Sequence, residues 1–163
     1  MDTRITSLTQ AMLAYEAGCP HRAQHLLKVW AFARIIAAGE GLPDSQRHLI
    51  EAAALTHDIG IRPSLEKYGS SAGPYQEKEG PPAARPLLES LGFPGPQIDR
   101  ICYLIGHHHT YTAIDGIDYQ ILVEADFLVN IFEEPMDQAA ARSIGEKIFK
   151  TPTGLKLLTG LYL

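Results

Sequence analysis

The sequence predicts an all-α fold, a bundle of helices around one hydrophobic core. Apolar residues recur at intervals of three and four almost throughout, the spacing that places them on one helix face. No stretch alternates with the period of two expected of a half-buried strand. Capping residues, Gly and Pro fall where the periodic segments begin and end.

The elements follow in order. Ser7 can cap a short first helix ending near Gly18. Pro20 opens a second, in which His25, Val29, Phe32 and Ile36 share a face; Gly39 and Gly41 stop it. Asp44 or Ser45 caps a third, through Leu49, Ala53 and Leu55 to the stop at His57-Asp58-Ile59-Gly60. Residues 60 to 82 lose periodicity and read as a long loop, a lid or binding segment. Pro82 begins a helix to Leu91, and Pro96 begins another reaching His107-His108-His109. Asp115 to Asp118 reads as a turn, followed by the strongly apolar helix of Ile121, Leu122, Ala125, Leu128, Val129 and Phe132. Two amphipathic helices, around Ala139 to Phe149 and Gly154 to Tyr162, complete the chain.

With 163 residues, 45% hydrophobic and 20% charged, residues 1–163 suit a single domain with a substantial core and are too apolar for disorder. Repeats and low-complexity segments are absent. A net charge of −5 without a basic stripe argues against a nucleic-acid polymer as partner, yet leaves room for a small phosphorylated ligand if a cation supplies local charge. Cys19 and Cys102 are isolated, which fits a reducing compartment. No signal peptide and no apolar run of the ~20 residues needed to span a bilayer are found, so the expected location is cytoplasmic, away from membrane.

Four positions place metal-competent side chains on apolar faces. His25 leads the face of Val29; alone it reads as a neutral core histidine bonded to a carbonyl. His57 and Asp58 are adjacent at a helix end, where the backbone can turn so that both converge; alone they read as a polar cap. His108 is in phase with Ile101 and Ile105, while His107 and His109 fall to either side, and a triplet of this kind is otherwise a solvated helix end. Asp126 lies within an apolar helix, where an unpaired carboxylate is costly; a metal or buried cation is the natural compensation. Together these form a mixed nitrogen and oxygen donor set without thiolate, suited to Mn, Fe, Co, Ni or Zn. Such an ion can activate water and offset charge on a phosphoryl group.

The order and spacing of these residues resemble the HD superfamily of metal-dependent phosphohydrolases. Arg22-Ala-Gln-His25 matches its opening segment, Ala53-Ala-Leu-Thr-His57-Asp58-Ile-Gly its signature, Ile105-Gly-His-His108 a later element, and Leu122-Val-Glu-Ala-Asp126 its close. The resemblance spans about residues 20 to 133; the helices of about 136–162 carry no motif. It implies an HD-type helical bundle with the metal site in its core, and His25, His57, Asp58 and Asp126 as ligands of one divalent ion. A second ion would use His108, with His107 close by, and Glu79, which stands where family members usually have histidine in Glu79-Gly-Pro-Pro-Ala-Ala84. Otherwise Glu79 reads as a solvated loop charge. Small bacterial hydrolases of symmetrical dinucleoside tetraphosphates share several of these segments.

The expected activity is hydrolysis of a nucleotide, dinucleotide or other small phosphoester by a metal-activated water. One or two ions (Fe, Mn, Co, Ni or Zn, with Mg also admissible) would serve as cofactor. Asp58 would be ligand and proton acceptor, and Arg22, three residues from His25, a phosphate clamp. Arg62, Lys67 and Lys78 are further phosphate contacts or surface charges; Tyr68, Tyr75 and Tyr111 either stack on a base or pack the loop. Two other readings stand beside this one: a di-iron oxygenase of the same superfamily, and a non-catalytic nucleotide-binding module. Homodimerisation is left open.

Overall fold

In a computed structural model describing residues 2–163, nine helices and no strands are found among the described residues. Helix α1 (Thr3–Tyr15) begins earlier than Ser7 suggests, because Asp2 is the cap: its Oδ1 accepts from the Arg4 amide at 2.7 Å. Helix α2 (Pro20–Gly39) uses Pro20 in its first turn. Its buried face is His25, Leu26, Val29, Ala33, Ile36 and Ala37, with Phe32 only partly covered. Helix α3 (Asp44–Thr56) is preceded by Pro43, and Asp44 lies within its first turn without capping it. Ala52, Ala53 and Ala54 are fully buried, and these small side chains let α2 and α7 approach closely.

The largest departure from expectation is at residues 60 to 82. They form α4 (Ile61–Tyr68) and most of α5 (Gly73–Ser90) instead of a loop. Pro63 and Pro74 sit in first turns, where no amide donor is needed. Gly69 ends α4 in the left-handed region, φ 64°. Pro81, Pro82 and Pro86 are tolerated inside α5 because its buried positions, Gln76, Gly80, Ala84 and Leu88, keep a four-residue spacing, while Pro82 and Pro86 face solvent. Tertiary packing of that face overrides the local proline penalty.

Helix α6 (Gly95–Ile105) stops at Gly106, so His107-His108-His109 lie in a turn after it. Helix α7 (Ile117–Glu133) starts within the expected turn and is the most deeply buried element, with Tyr119 to Asp126, Leu128, Val129 and Ile131 all covered. It packs against α2 and α3 on one side and α9 on another. Helices α8 (Gln138–Lys147) and α9 (Pro152–Tyr162) close the fold. No helix is long and apolar enough to cross a membrane among the described residues.

The C-terminal helices are tied to α7 through Glu124, a fully buried carboxylate. It accepts from Thr151 Oγ1 at 2.7 Å, Gln120 Nε2 at 2.6 Å, and the amides of Thr151 and Lys150 at 3.2 and 3.3 Å. Thr151 in turn caps α9, its Oγ1 accepting from the Gly154 amide. The carboxylate therefore meets the positive end of α9. A Cβ on Gly154 would lie 1.9 Å from Glu124 Oε1, whereas one on Gly160 meets nothing within 4 Å. Two substitutions in one helix should thus have opposite signs. Gly154→Ala is expected to lower stability by roughly 1–3 kcal/mol through overpacking. Gly160→Ala should raise it by about 0.5–1 kcal/mol through helix propensity. Thermal unfolding of the two variants checks this; a stable Gly154→Ala protein contradicts the Glu124 clamp.

Candidate metal centre

Four elements converge on Asp58. His25 projects from the second turn of α2, His57 and Asp58 from the turn after α3, His108 from the turn after α6, and Asp126 from α7. His25 Nε2 lies 3.3 Å from Asp58 Oδ2 and 3.2 Å from Asp126 Oδ1. His57 Nε2 lies 3.4 and 3.5 Å from the same two oxygens. The two Nε2 atoms are 3.2 Å apart. On the other side, Asp58 Oδ1 faces His108 Nε2 at 3.4 Å. The adjacent pair does converge, because His57 leaves the helix as its C-cap and the next residue turns.

The ring tautomers follow from the other nitrogens. His25 Nδ1 donates to Glu133 at 2.9 Å, His57 Nδ1 to the Ala54 carbonyl at 2.7 Å, and His108 Nδ1 to the Ile105 carbonyl at 2.8 Å. Each of these partners only accepts, so Nδ1 carries the proton and Nε2 holds a lone pair when the ring is neutral. Three lone pairs then face two carboxylates in the core. That arrangement is repulsive unless a cation lies among them, and His108 Nε2 is a buried nitrogen with no hydrogen-bond partner. The donor set fits a metal ion.

The electrostatics agree. Burial opposes charge on His25 and His57, yet Asp58 and Asp126 outweigh it, raising His25 and raising His57 well above the ordinary imidazole value. Burial would likewise neutralise the carboxylates, but His57, with His108 on Asp58 and His25 on Asp126, holds both below their usual range. Protons on the imidazoles are the alternative cation in this cluster, and metal uptake would displace them.

Two ligand groups share Asp58. One joins it to His25 and His57, the other to His108 and His109, with candidate donor atoms in each group within 4.8 Å of one another. His109 was expected only to flank His108, so its place in the second group is new. Its Nε2 bonds Gln76 Oε1 at 3.1 Å, and Gln76 Nε2 donates to the Ser71 carbonyl, which fixes the amide with its oxygen toward His109. Nδ1 of His109 is therefore the free donor atom, and burial, with His108 beside it, pushes the ring down to about 4, keeping it neutral. His107 turns away, bonded to the Tyr103 carbonyl and stacked on the Tyr103 ring at 4.0 Å.

Glu79 joins neither group. It is buried on α5, where Lys67 Nζ bonds it at 2.7 Å and Tyr68 Oη at 2.8 Å. These two partners hold its carboxyl below the ordinary value. It is thus neither a solvated loop charge nor, as placed, a donor facing Asp58. The α5 backbone nevertheless abuts the His57–Gly60 turn: a Cβ on Gly60 would lie 2.7 Å from the Gln76 carbonyl oxygen. Arg22 donates from Nε to the buried Glu16 at 2.7 Å, and Arg62 Nη2 lies 3.9 Å from the same carboxylate. Tyr15 Oη donates to the Ile59 carbonyl at 2.9 Å, so this arginine pair borders the turn. Lys78 and Tyr75 both lie near the Tyr68 ring, Lys78 Nζ 5.9 Å from its centre and the two tyrosines stacked at 4.2 Å. Tyr111 packs on Phe127.

Glu133 and Gln76 are contacts that sequence reasoning missed. Glu133 stands seven residues after Asp126, a two-turn spacing that places it on the same side of the helix without naming its partner.

A family model described as HD domain matches residues 22–150, a span containing every residue of both ligand groups. The chain is also similar to the crystal structure of a predicted HD superfamily hydrolase from an uncultured Thermotogales bacterium. The TM-score is 0.65 at 26% identity, with 96% of this chain and 82% of that one covered. No curated protein matches the chain.

Metal addition should therefore stabilise the fold. At a hundredfold excess of Mn²⁺ over its Kd, about 2.7 kcal/mol is expected, read as a rise in Tm that a chelator reverses. Asp126→Asn, which alters a ligand of the first group only, should weaken the response. A Tm indifferent to every divalent ion contradicts the assignment.

Proposed function

The chain belongs to the HD domain family, and on that premise we propose that it is a metal-dependent phosphohydrolase. The observation that carries this reading is the position of Asp58, whose Oδ2 faces His25 and His57 while Oδ1 faces His108. In this proposal His25, His57, Asp58 and Asp126 hold one divalent ion. Asp58, His108 and His109 hold a second, and Glu79 serves the site only by fixing Lys67 and Tyr68. A bound divalent ion supplies Lewis acidity and brings the pKa of water toward neutrality.

The chain's own residues do the rest. Asp58 is the most exposed member of the first group, its side chain 21% accessible, so the reacting phosphoryl group approaches from its side. Its carboxylate can accept a proton from the attacking water. Asn130 Nδ2 donates to Asp126 Oδ1 at 3.1 Å and steadies it. Arg22 and Arg62 are held beside the turn by Glu16 and present guanidinium groups to a substrate phosphate.

We further propose a nucleotide or dinucleotide as substrate, dinucleoside polyphosphates included, and a cytoplasmic location. The stacked, partly exposed Tyr68 and Tyr75 support an aromatic base, since Gln76 next to Tyr75 bonds His109. Two metal positions sharing one carboxylate also suit the di-iron oxygenase reading. Two bound irons with an oxygen-dependent spectrum, and no phosphatase activity, would favour it.

The deciding experiment is metal analysis joined to a phosphoester panel in Mn, Fe, Co, Ni and Mg. Asp58→Ala should lose metal and at least about 10³-fold in kcat/KM, some 4 kcal/mol of transition-state stabilisation. His109→Ala should lower the bound metal from two ions to one. Arg22→Ala should mainly raise KM, about tenfold. Undiminished turnover by Asp58→Ala sinks the proposal.

A further inference from the structure

Three imidazoles face the carboxylates through Nε2, but they are oriented in two different ways. His57 and His108 lie just beyond the last residues of α3 and α6. There the terminal carbonyls of a helix lack intrahelical partners, and each ring takes one: Ala54 O for His57, Ile105 O for His108. His25 is within α2, where the preceding carbonyls serve the helix itself. No backbone acceptor is free to fix its ring. Something outside α2 must do so.

That group is Glu133. Its side chain, at the end of α7, is only 7% exposed, and both oxygens bond His25 Nδ1, at 2.9 and 3.2 Å. Asp126 lies seven residues earlier on the same helix, close to the same azimuth. Helix α7 thus holds the ring from both sides, Asp126 Oδ1 at Nε2 and Glu133 at Nδ1. Lys28 Nζ, 3.2 Å from Oε1, and the exposed His21, 3.5 Å from Oε2, complete the environment of the carboxylate. Lys28 is 39% exposed, and a half-exposed pair of that kind contributes little by itself. It does not account for a covered carboxylate with both oxygens on one imidazole nitrogen.

We propose that Glu133 is the positioning residue of the metal centre. An ionised carboxylate accepts only, so it locks His25 with the proton on Nδ1 and the lone pair on Nε2, aimed at Asp58 and Asp126. It also makes the ring a better donor, as carboxylates behind ligating histidines do. The inference rests on the reading of His25 as a metal ligand and adds to it the group that decides which nitrogen binds.

The test is Co²⁺ titration of the full chain, followed by the visible ligand-field spectrum, with long-range ¹⁵N–¹H NMR of the Zn²⁺-loaded protein. Glu133→Ala should weaken Co²⁺ binding 10–100-fold. It should also alter the spectrum and abolish the single Nδ1–H, Nε2-bound signature of His25. Glu133→Asp should recover part of the affinity. Glu134→Gln, a neighbouring exposed charge, should leave all three readouts unchanged. The proposal is overturned if Glu133→Ala keeps native Co²⁺ affinity and an unchanged His25 signature, even when its metal-free Tm falls, because the role is then structural only. His25→Ala separates the two ideas. If that variant binds Co²⁺ like the native protein, His25 is no ligand and the underlying reading falls with the proposal; if it loses metal while Glu133→Ala does not, only the positioning role fails.

Discussion

The fold is organised around an electrostatic problem in its core. Asp58 and Asp126 face the lone-pair nitrogens of His25 and His57, and Asp58 also faces His108, all within 3.5 Å. Negative oxygens and nitrogen lone pairs at these distances repel unless a cation lies among them. The surrounding helices hold that repulsive set together. They can do so because α2, α3 and α7 pack through Val29, Ala33, Ala53 and Leu122, whose burial is complete.

Holding the set requires each ring to be aimed, and helix ends supply most of the means. A helix terminus offers carbonyls with nothing else to bond, so placing His57 and His108 just past α3 and α6 fixes two tautomers without dedicated side chains. The histidine within α2 needs an outside acceptor and finds it two turns beyond Asp126. Helix α7 therefore carries a donor, its neighbour's orienting group, and, two residues before Asp126, the Glu124 carboxylate that docks α9. The C-terminal helices, which supply none of the candidate ligands, are docked on this element through that carboxylate.

The opposite side of the site is built from α4 and α5. Here Glu79 is neutralised by Lys67 and Tyr68, and Gln76 orients His109. A rim of lysines and stacked tyrosines from α4 and the first half of α5 thus lies beside the second ligand group. On the α1–α2 side, one buried carboxylate, Glu16, holds Arg22 and gathers Arg62 beside it. This border of arginines, lysines and tyrosines is the feature on which the proposed nucleotide substrate rests.

Much of this was legible in the amino-acid sequence, for a definite reason. Helical periodicity, the apolar setting of Asp126 and the order of His25, His57-Asp58 and His108 are local patterns, and a carboxylate inside an apolar face is anomalous in any fold. The all-α class and the main donor set followed from these. Residues 60 to 82 were opaque because Gly and Pro carry the same local signal whether a segment is a loop or a helix whose inward face is packed. Glu79, Glu133, Gln76 and His109 were opaque for a related reason. A carboxylate or amide takes its role from the atom across from it, and Lys67, His25 and Asp58 are brought opposite them only when separate helices pack. Sequence alone singled out His25, His57, Asp58, His108 and Asp126 as residues able to bind a cation. Only the tertiary structure brought in His109, set Glu79 aside and decided which nitrogen of each ring faces inward, because carbonyls orient His57 and His108 only where α3 and α6 end, and His25 is oriented by a carboxylate 108 residues away.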